Sequence, residues 1–129
     1  AQAKVIDSIV SQTEQLLELI NDLLDIEKLE AGKMQLSLEA VELAELLDYD
    51  LCNTLGEKLT DRIEIGGELP CLSLQVDKER ILQALSNLIK FAASRCKSKE
   101  RAALLSANAD AEFLEIEVLD SGPLLSAEE

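Results

Sequence analysis

From Ala3 to Ala31 the chain contains neither glycine nor proline, and its apolar residues return at Val5, Ile9, Leu16, Ile20, Leu23 and Ile26, close to a heptad register. That run specifies one long amphipathic helix. Leu17, Leu19, Leu24 and Leu29 widen the apolar stripe beyond a two-stranded seam, so the helix calls for several neighbours, as in a four-helix bundle. Gly32 follows where a C-terminal glycine cap belongs.

Beyond the cap the spacing changes repeatedly. Met34, Leu36 and Leu38 alternate with polar residues and predict a short half-buried strand. Val41 to Leu55 returns to helical spacing and ends at Gly56. Ile63 and Ile65 predict a second strand, and Leu72, Leu74 and Val76 a third. Asp77 suits the N-cap of a further helix that turns Ile81, Leu82, Leu85, Leu88, Ile89 and Ala92 inward. Ala103 to Ala107 predicts a weak strand, Asn108 to Ala111 a turn, and Phe113 to Leu119 a strong strand. Two long helices on one mixed sheet make an α+β, two-layer α/β sandwich. The expected division is a long dimerisation-type helix over 1–32 and a domain over 33–129.

At 129 residues, 47% hydrophobic but only 2% aromatic, the chain supports one domain with an aliphatic core and few rings for stacking bases or sugars. The formal net charge of -14 repels nucleic acid, anionic membrane and free nucleotide at long range. Neither nucleic acid nor membrane is therefore an expected partner. Arg95, Lys97, Lys99 and Arg101 hold a third of the positive charge, read as a solvated loop in preference to a docking patch. Cys52, Cys71 and Cys96 are odd in number and lack a CxxC pair, which predicts buried free thiols in a reducing, cytoplasmic compartment and no metal site. No apolar run reaches the roughly 18 residues that span a bilayer, and Ala1 reads as mid-helix sequence without a signal-peptide pattern.

Three stretches carry a family resemblance. Leu16 to Leu36 (LLELINDLLDIEKLEAGKMQL) resembles the second dimerisation helix of sensor histidine kinases and its junction into their ATP-binding domain. Asp77, Arg80, Gln83, Leu85, Asn87 and Leu88 resemble the start of that family's N-box helix, D-x-x-R-x-x-Q-x-L-x-N-L-x-x-N-A. Asp120, Ser121 and Gly122 resemble the D-x-G-x-G box, whose Asp in the family binds the adenine amino group. The resemblance implies a histidine-kinase ATPase-like fold, a dimer formed through the N-terminal helix, and Asn87, Asp120 and Gly122 as remnants of the ATP site.

The departures imply lost chemistry. The chain contains no histidine, so it has no phospho-acceptor of its own. The family's magnesium-ligating second Asn falls on Phe91, and a benzyl group cannot coordinate a hard cation. A gapped alignment on Lys90 and Phe91 loses the same Asn. The second glycine of the D-x-G-x-G box falls on Leu124, and Leu124 and Leu125 put aliphatic bulk toward the adenine pocket. The chain stops at Glu129, short of the family's lid and final strands. Asp22 and Asp25 read as solvated helix residues and not as an acid/base pair.

The expectation is a catalytically inactive, histidine-kinase-like module (a pseudokinase) with no catalytic residue, no metal and no cofactor. It would act in two-component-type signalling by pairing with itself or a protein partner through its N-terminal helix. The alternatives are a fragment of an ATP- and magnesium-dependent sensor kinase that is active when whole, and a phosphorelay phosphotransferase-like protein.

Overall fold

The computed structural model describes residues 2–96 and 101–122. Two compact units divide it, Ala1–Leu36 and Ser37–Glu129.

In the first unit, helix α1 spans Gln2–Glu30, and none of its side chains is buried. Its end is closed as the glycine predicts. Gly32 takes φ +66°, the Lys33 N–H donates to Lys28 O at 2.9 Å, and the Gly32 N–H donates to Leu29 O at 3.1 Å. This pair of bonds satisfies carbonyls that the helix end would leave bare. Asp22 and Asp25, expected on the solvated side of the helix, are half-buried.

The second unit opens with β1, Glu39–Glu42, paired antiparallel with β3, Ser73–Val76, in the register Glu39↔Val76 to Glu42↔Ser73. The strand expected over Met34 to Leu38 is therefore displaced downstream. Its alternation was real, but a strand needs a partner, and β3 has only four residues, all matched to Glu39–Glu42. Leu36 and Leu38 are left exposed.

Helix α2 joins three segments end to end: Leu43–Glu45, a π-helical Leu46–Asp50, and Leu51–Leu55. The π turn shows in the Leu51 N–H, which donates to Leu46 O five residues back. Leu43, Leu46, Leu47 and Leu51 are all buried. Gly56, at φ +88°, breaks the helix and starts the short α3, Glu57–Thr60, which the hydrophobic spacing did not signal.

Strand β2, Ile63–Ile65, runs parallel to the central β4, Ala103–Ala109, which pairs antiparallel with β5, Leu114–Asp120, giving the order β2-β4-β5. Strand β4 reaches two residues further than Ala107 and absorbs half of the expected turn. The chain then reverses over Asp110–Phe113, so Phe113 lies outside β5 and is 72% exposed.

Helix α4, Lys78–Arg95, is capped by Asp77, whose carboxylate accepts from the Arg80 N–H at 3.3 Å and from the Ser37 N–H at 3.1 Å. Leu85, Ser86, Ile89 and Ala92 form its buried stripe, whereas Leu88, expected inside, is 54% exposed. The core joins Leu43, Leu47 and Leu51 of α2 to Leu85 and Ile89 of α4 and to Leu105 and Ala107 of β4, with Ile116 and Val118 of β5 packed against it. This is the α+β two-layer arrangement, helices on one face of the three-stranded sheet.

Two further expectations fail. Cys71 is exposed, and Cys52 and Cys96 are half-buried, so the three free thiols are not core residues. The basic run is also not a purely solvated loop. Arg95 is the last residue of α4 and is ion-paired, while Arg101 bonds Glu64 Oε2 at 3.0 Å on the surface. Lys97 and Lys99 lie outside the described residues.

Candidate functional site

Asn87, Phe91 and Arg95 stand four residues apart on α4 and so share one face of it. Asn87 is exposed, and Phe91 is 52% exposed. The Arg95 guanidinium lies over the Phe91 ring, 5.6 Å from its centroid, a cation–π contact.

The other half of the site comes from β5. Side chains alternate along a strand, and the register sets Val118 opposite Leu105, Ile116 opposite Ala107, and Asp120 opposite Ala103. Asp120 therefore continues the helix-facing side of β5 and meets the last turn of α4. There the Arg95 Nε donates to its Oδ2 at 3.3 Å, and the Gly122 N–H donates to its Oδ1 at 2.9 Å. Arg95 is 13% exposed in its side chain and Asp120 30%, so the pair is partly withdrawn from water. A charge-assisted bond of this kind stabilises by about 1 to 3 kcal/mol.

Gly122 has a structural reason to be glycine. A Cβ at this position would lie 2.8 Å from the Arg95 Cβ and 3.0 Å from the Arg95 carbonyl oxygen. Ser121 completes the attachment, its hydroxyl within bonding distance of the Arg101 carbonyl at 3.0 Å and of the Cys96 sulfur at 3.3 Å. The Asp120–Gly122 turn is thus sewn onto the end of α4. Leu124 and Leu125, read as intruding on the adenine pocket, lie outside the described residues.

Of the three expected ATP-site remnants, the structure joins Asp120 and Gly122 at one point. Asn87 stands two helical turns from Arg95 on the same helix. Sequence reasoning missed Arg95, which it placed in a basic loop. The available signal was its spacing of four from Phe91, on a helix whose apolar stripe runs on to Ala92.

At the opposite end of the β4–β5 hairpin, a depression of about 360 Å³ is lined by Asn108, Ala109, Asp110, Phe113 and Glu115. The Asp110 Oδ1 accepts from the backbone N–H groups of Phe113 at 2.7 Å and Glu112 at 2.8 Å. These two bonds, that of Phe113 first, hold its carboxyl below the usual carboxylate range. Among the described residues no group of three His, Cys, Asp or Glu side chains could hold a metal ion, and no helix is long and apolar enough to cross a membrane.

No family model matches the chain. Among curated proteins it is 32% identical over 111 residues to the sensor histidine kinase MtrB of Mycolicibacterium paratuberculosis, covering 84% of this chain and 20% of the relative. It is 34% identical over 103 residues to the circadian input-output histidine kinase CikA of Synechococcus elongatus, covering 70% of this chain and 13% of that protein. The chain is related to the sensor histidine kinases. The histidine kinase AdeS of Acinetobacter baumannii shares its fold, with a TM-score of 0.80 at 20% identity, over 96% of this chain and 62% of the other. This kinase-related chain spans a fifth or less of the length of the curated relatives named here.

Proposed function

We propose that this is a non-catalytic, histidine-kinase-like module of two-component signalling that acts through protein contacts. The observation that carries the reading is the Arg95–Asp120 ion pair beside Phe91. Asp120, the residue resembling the family's adenine contact, has each oxygen already accepting a bond from the chain itself. Phe91, at the position resembling the metal ligand, offers a cation no donor atom. Magnesium and ATP do not fit this set of groups.

What remains for function is surface. Helix α1 leaves Val5, Ile9, Leu16, Ile20 and Leu23 exposed along its length, a stripe suited to a second copy of the helix or to the dimerisation helices of a kinase. Calorimetry with magnesium and ATP tests the reading. Expected is no heat of binding at millimolar nucleotide; tight, magnesium-dependent binding overturns it.

A second reading is favoured by the relatives, which are named as histidine kinases and are at least five times longer than the matched segment. In it the chain is a segment of a larger kinase that is active when whole, with its histidine elsewhere. Autophosphorylation of the full-length gene product by labelled ATP supports this second reading, and its absence rejects it.

A further inference from the structure

One of the chain's two phenylalanines is spent outside the core. Phe113, at the tip of the β4–β5 hairpin, is 72% exposed, the most exposed large apolar side chain among the described residues. A phenyl ring left in water forgoes the stabilisation that burial brings, so its position asks for a reason. The ring lines the depression of about 360 Å³ together with Asn108, Asp110 and Glu115. Asn108 and Glu115 are directly opposite in the register, and both lie on the face of the sheet turned away from Ala107 and Ile116, which meet the core. Among the described residues, the Asp110 Oδ2, the Asn108 amide and the Glu115 carboxylate have no hydrogen bond or ion pair. No lysine or arginine follows Arg101 in the chain, so the hairpin supplies these carboxylates with no cation of its own.

We propose that the tip of the β4–β5 hairpin is a docking pocket for an arginine side chain presented by a protein partner. A guanidinium satisfies all three kinds of lining group at once: its flat face stacks on the phenyl ring, and its edge donates to the carboxylates and to the amide oxygen. A lysine ammonium is a compact point charge that cannot stack, and a metal ion gains nothing from the ring. The anionic lining repels nucleic acid and acidic lipid, which leaves a basic protein segment as the occupant. The volume lies at the low end of ligand sites, about 300 to 1,000 Å³, and so takes one long side chain. The turn is also held in advance. The Asp110 N–H donates to Phe113 O at 2.9 Å, while the Asp110 Oδ1 accepts from the Phe113 N–H at 2.7 Å, so the ring is presented from a fixed backbone.

The probe is the capped tripeptide acetyl-Gly-Arg-Gly-amide, titrated into the whole chain by NMR at about 0.1 M salt, where long-range attraction to the net charge of -14 is screened. Expected are saturating shifts at the Asn108, Glu112, Phe113 and Glu115 amides. Phe113→Leu, which keeps both charge and apolar bulk, is expected to weaken binding about two- to fivefold, the weight of one exposed cation–π contact. Glu115→Gln is expected to weaken it at least as much and decides the outcome should Phe113→Leu fail a thermal melt. The peptide with lysine in place of arginine is expected to bind at least about twofold more weakly, and the one with uncharged citrulline to leave these amides unmoved. The proposal is overturned by shifts spread over the acidic surface at large, by binding that the folded variants leave unchanged, or by a lysine or citrulline peptide that binds as well as the arginine one. None of these results touches nucleotide binding, so the pocket stands or falls apart from either reading above.

Discussion

Gly122→Ala distinguishes a glycine kept for packing from one kept for ligand approach. The added methyl would start 2.8 Å from the Arg95 Cβ and 3.0 Å from the Arg95 carbonyl oxygen. Neither is the free end of a flexible side chain, so relief requires the turn and the last residue of α4 to separate. That movement also lengthens the Arg95–Asp120 bond. Overpacking of this kind costs about 1 to 3 kcal/mol, and with a urea m-value of about 2 kcal/mol/M the unfolding midpoint falls by roughly 1 M. Urea unfolding followed by far-UV circular dichroism reads the shift with no nucleotide present. A glycine needed only for ligand approach would leave the midpoint unmoved, and a change under about 0.2 M refutes the packing argument.

Three other outcomes are expected. Asp77→Ala removes the acceptor of both the Arg80 and Ser37 N–H groups and lowers stability by about 1 to 2 kcal/mol, read by urea unfolding; amide exchange at Ser37 rises with it. Leu105→Ala, fully buried in the central strand, costs about 2 to 5 kcal/mol, whereas Leu88→Ala, 54% exposed, changes the same midpoint by less than about 0.5 kcal/mol. The lowered Asp110 pKa means that its two backbone bonds stabilise the turn above the ordinary carboxylate range and are lost as pH falls through the folded value. Acid titration by NMR is expected to show Asp110 protonating below a solvated aspartate, with the Glu112 and Phe113 amides shifting together.

The legible parts of this fold are those whose causes are local. Asp77 caps α4 with its own side chain, and β5 alternates because one face meets the core, so both could be read along the chain. Strand β1 could not, because its position is set by which four residues Ser73–Val76 have free to pair. Leu88 misled because helical spacing places it beside Leu85 and Ile89, while the buried stripe runs through Leu85, Ser86, Ile89 and Ala92 and leaves it outside. The candidate site divides in the same way. Asp120 and Gly122 were recognisable as residue types in a motif, and Phe91 as a departure from one. Their arrangement was not, since Arg95 and Asp120 are 25 residues apart and are brought together only by the crossing of α4 over β5. Gly122 was read through a motif that serves ligand approach, and the structure supplies a different neighbour for it, the backbone of α4.

The π turn at Leu46–Asp50 gives α2 a spare residue. In a uniform α-helix, removing one residue rotates everything beyond it by about 100° and carries the apolar stripe off the core. Here the ladder already holds one residue more than a four-residue repeat needs. Deleting the exposed Asp48 puts Leu51 four positions after Leu46 and three after Leu47, spacings that keep the buried leucines on one face. The helix can therefore change length by one while its core register stands, and a urea midpoint for the deletion close to the parent's would record that tolerance.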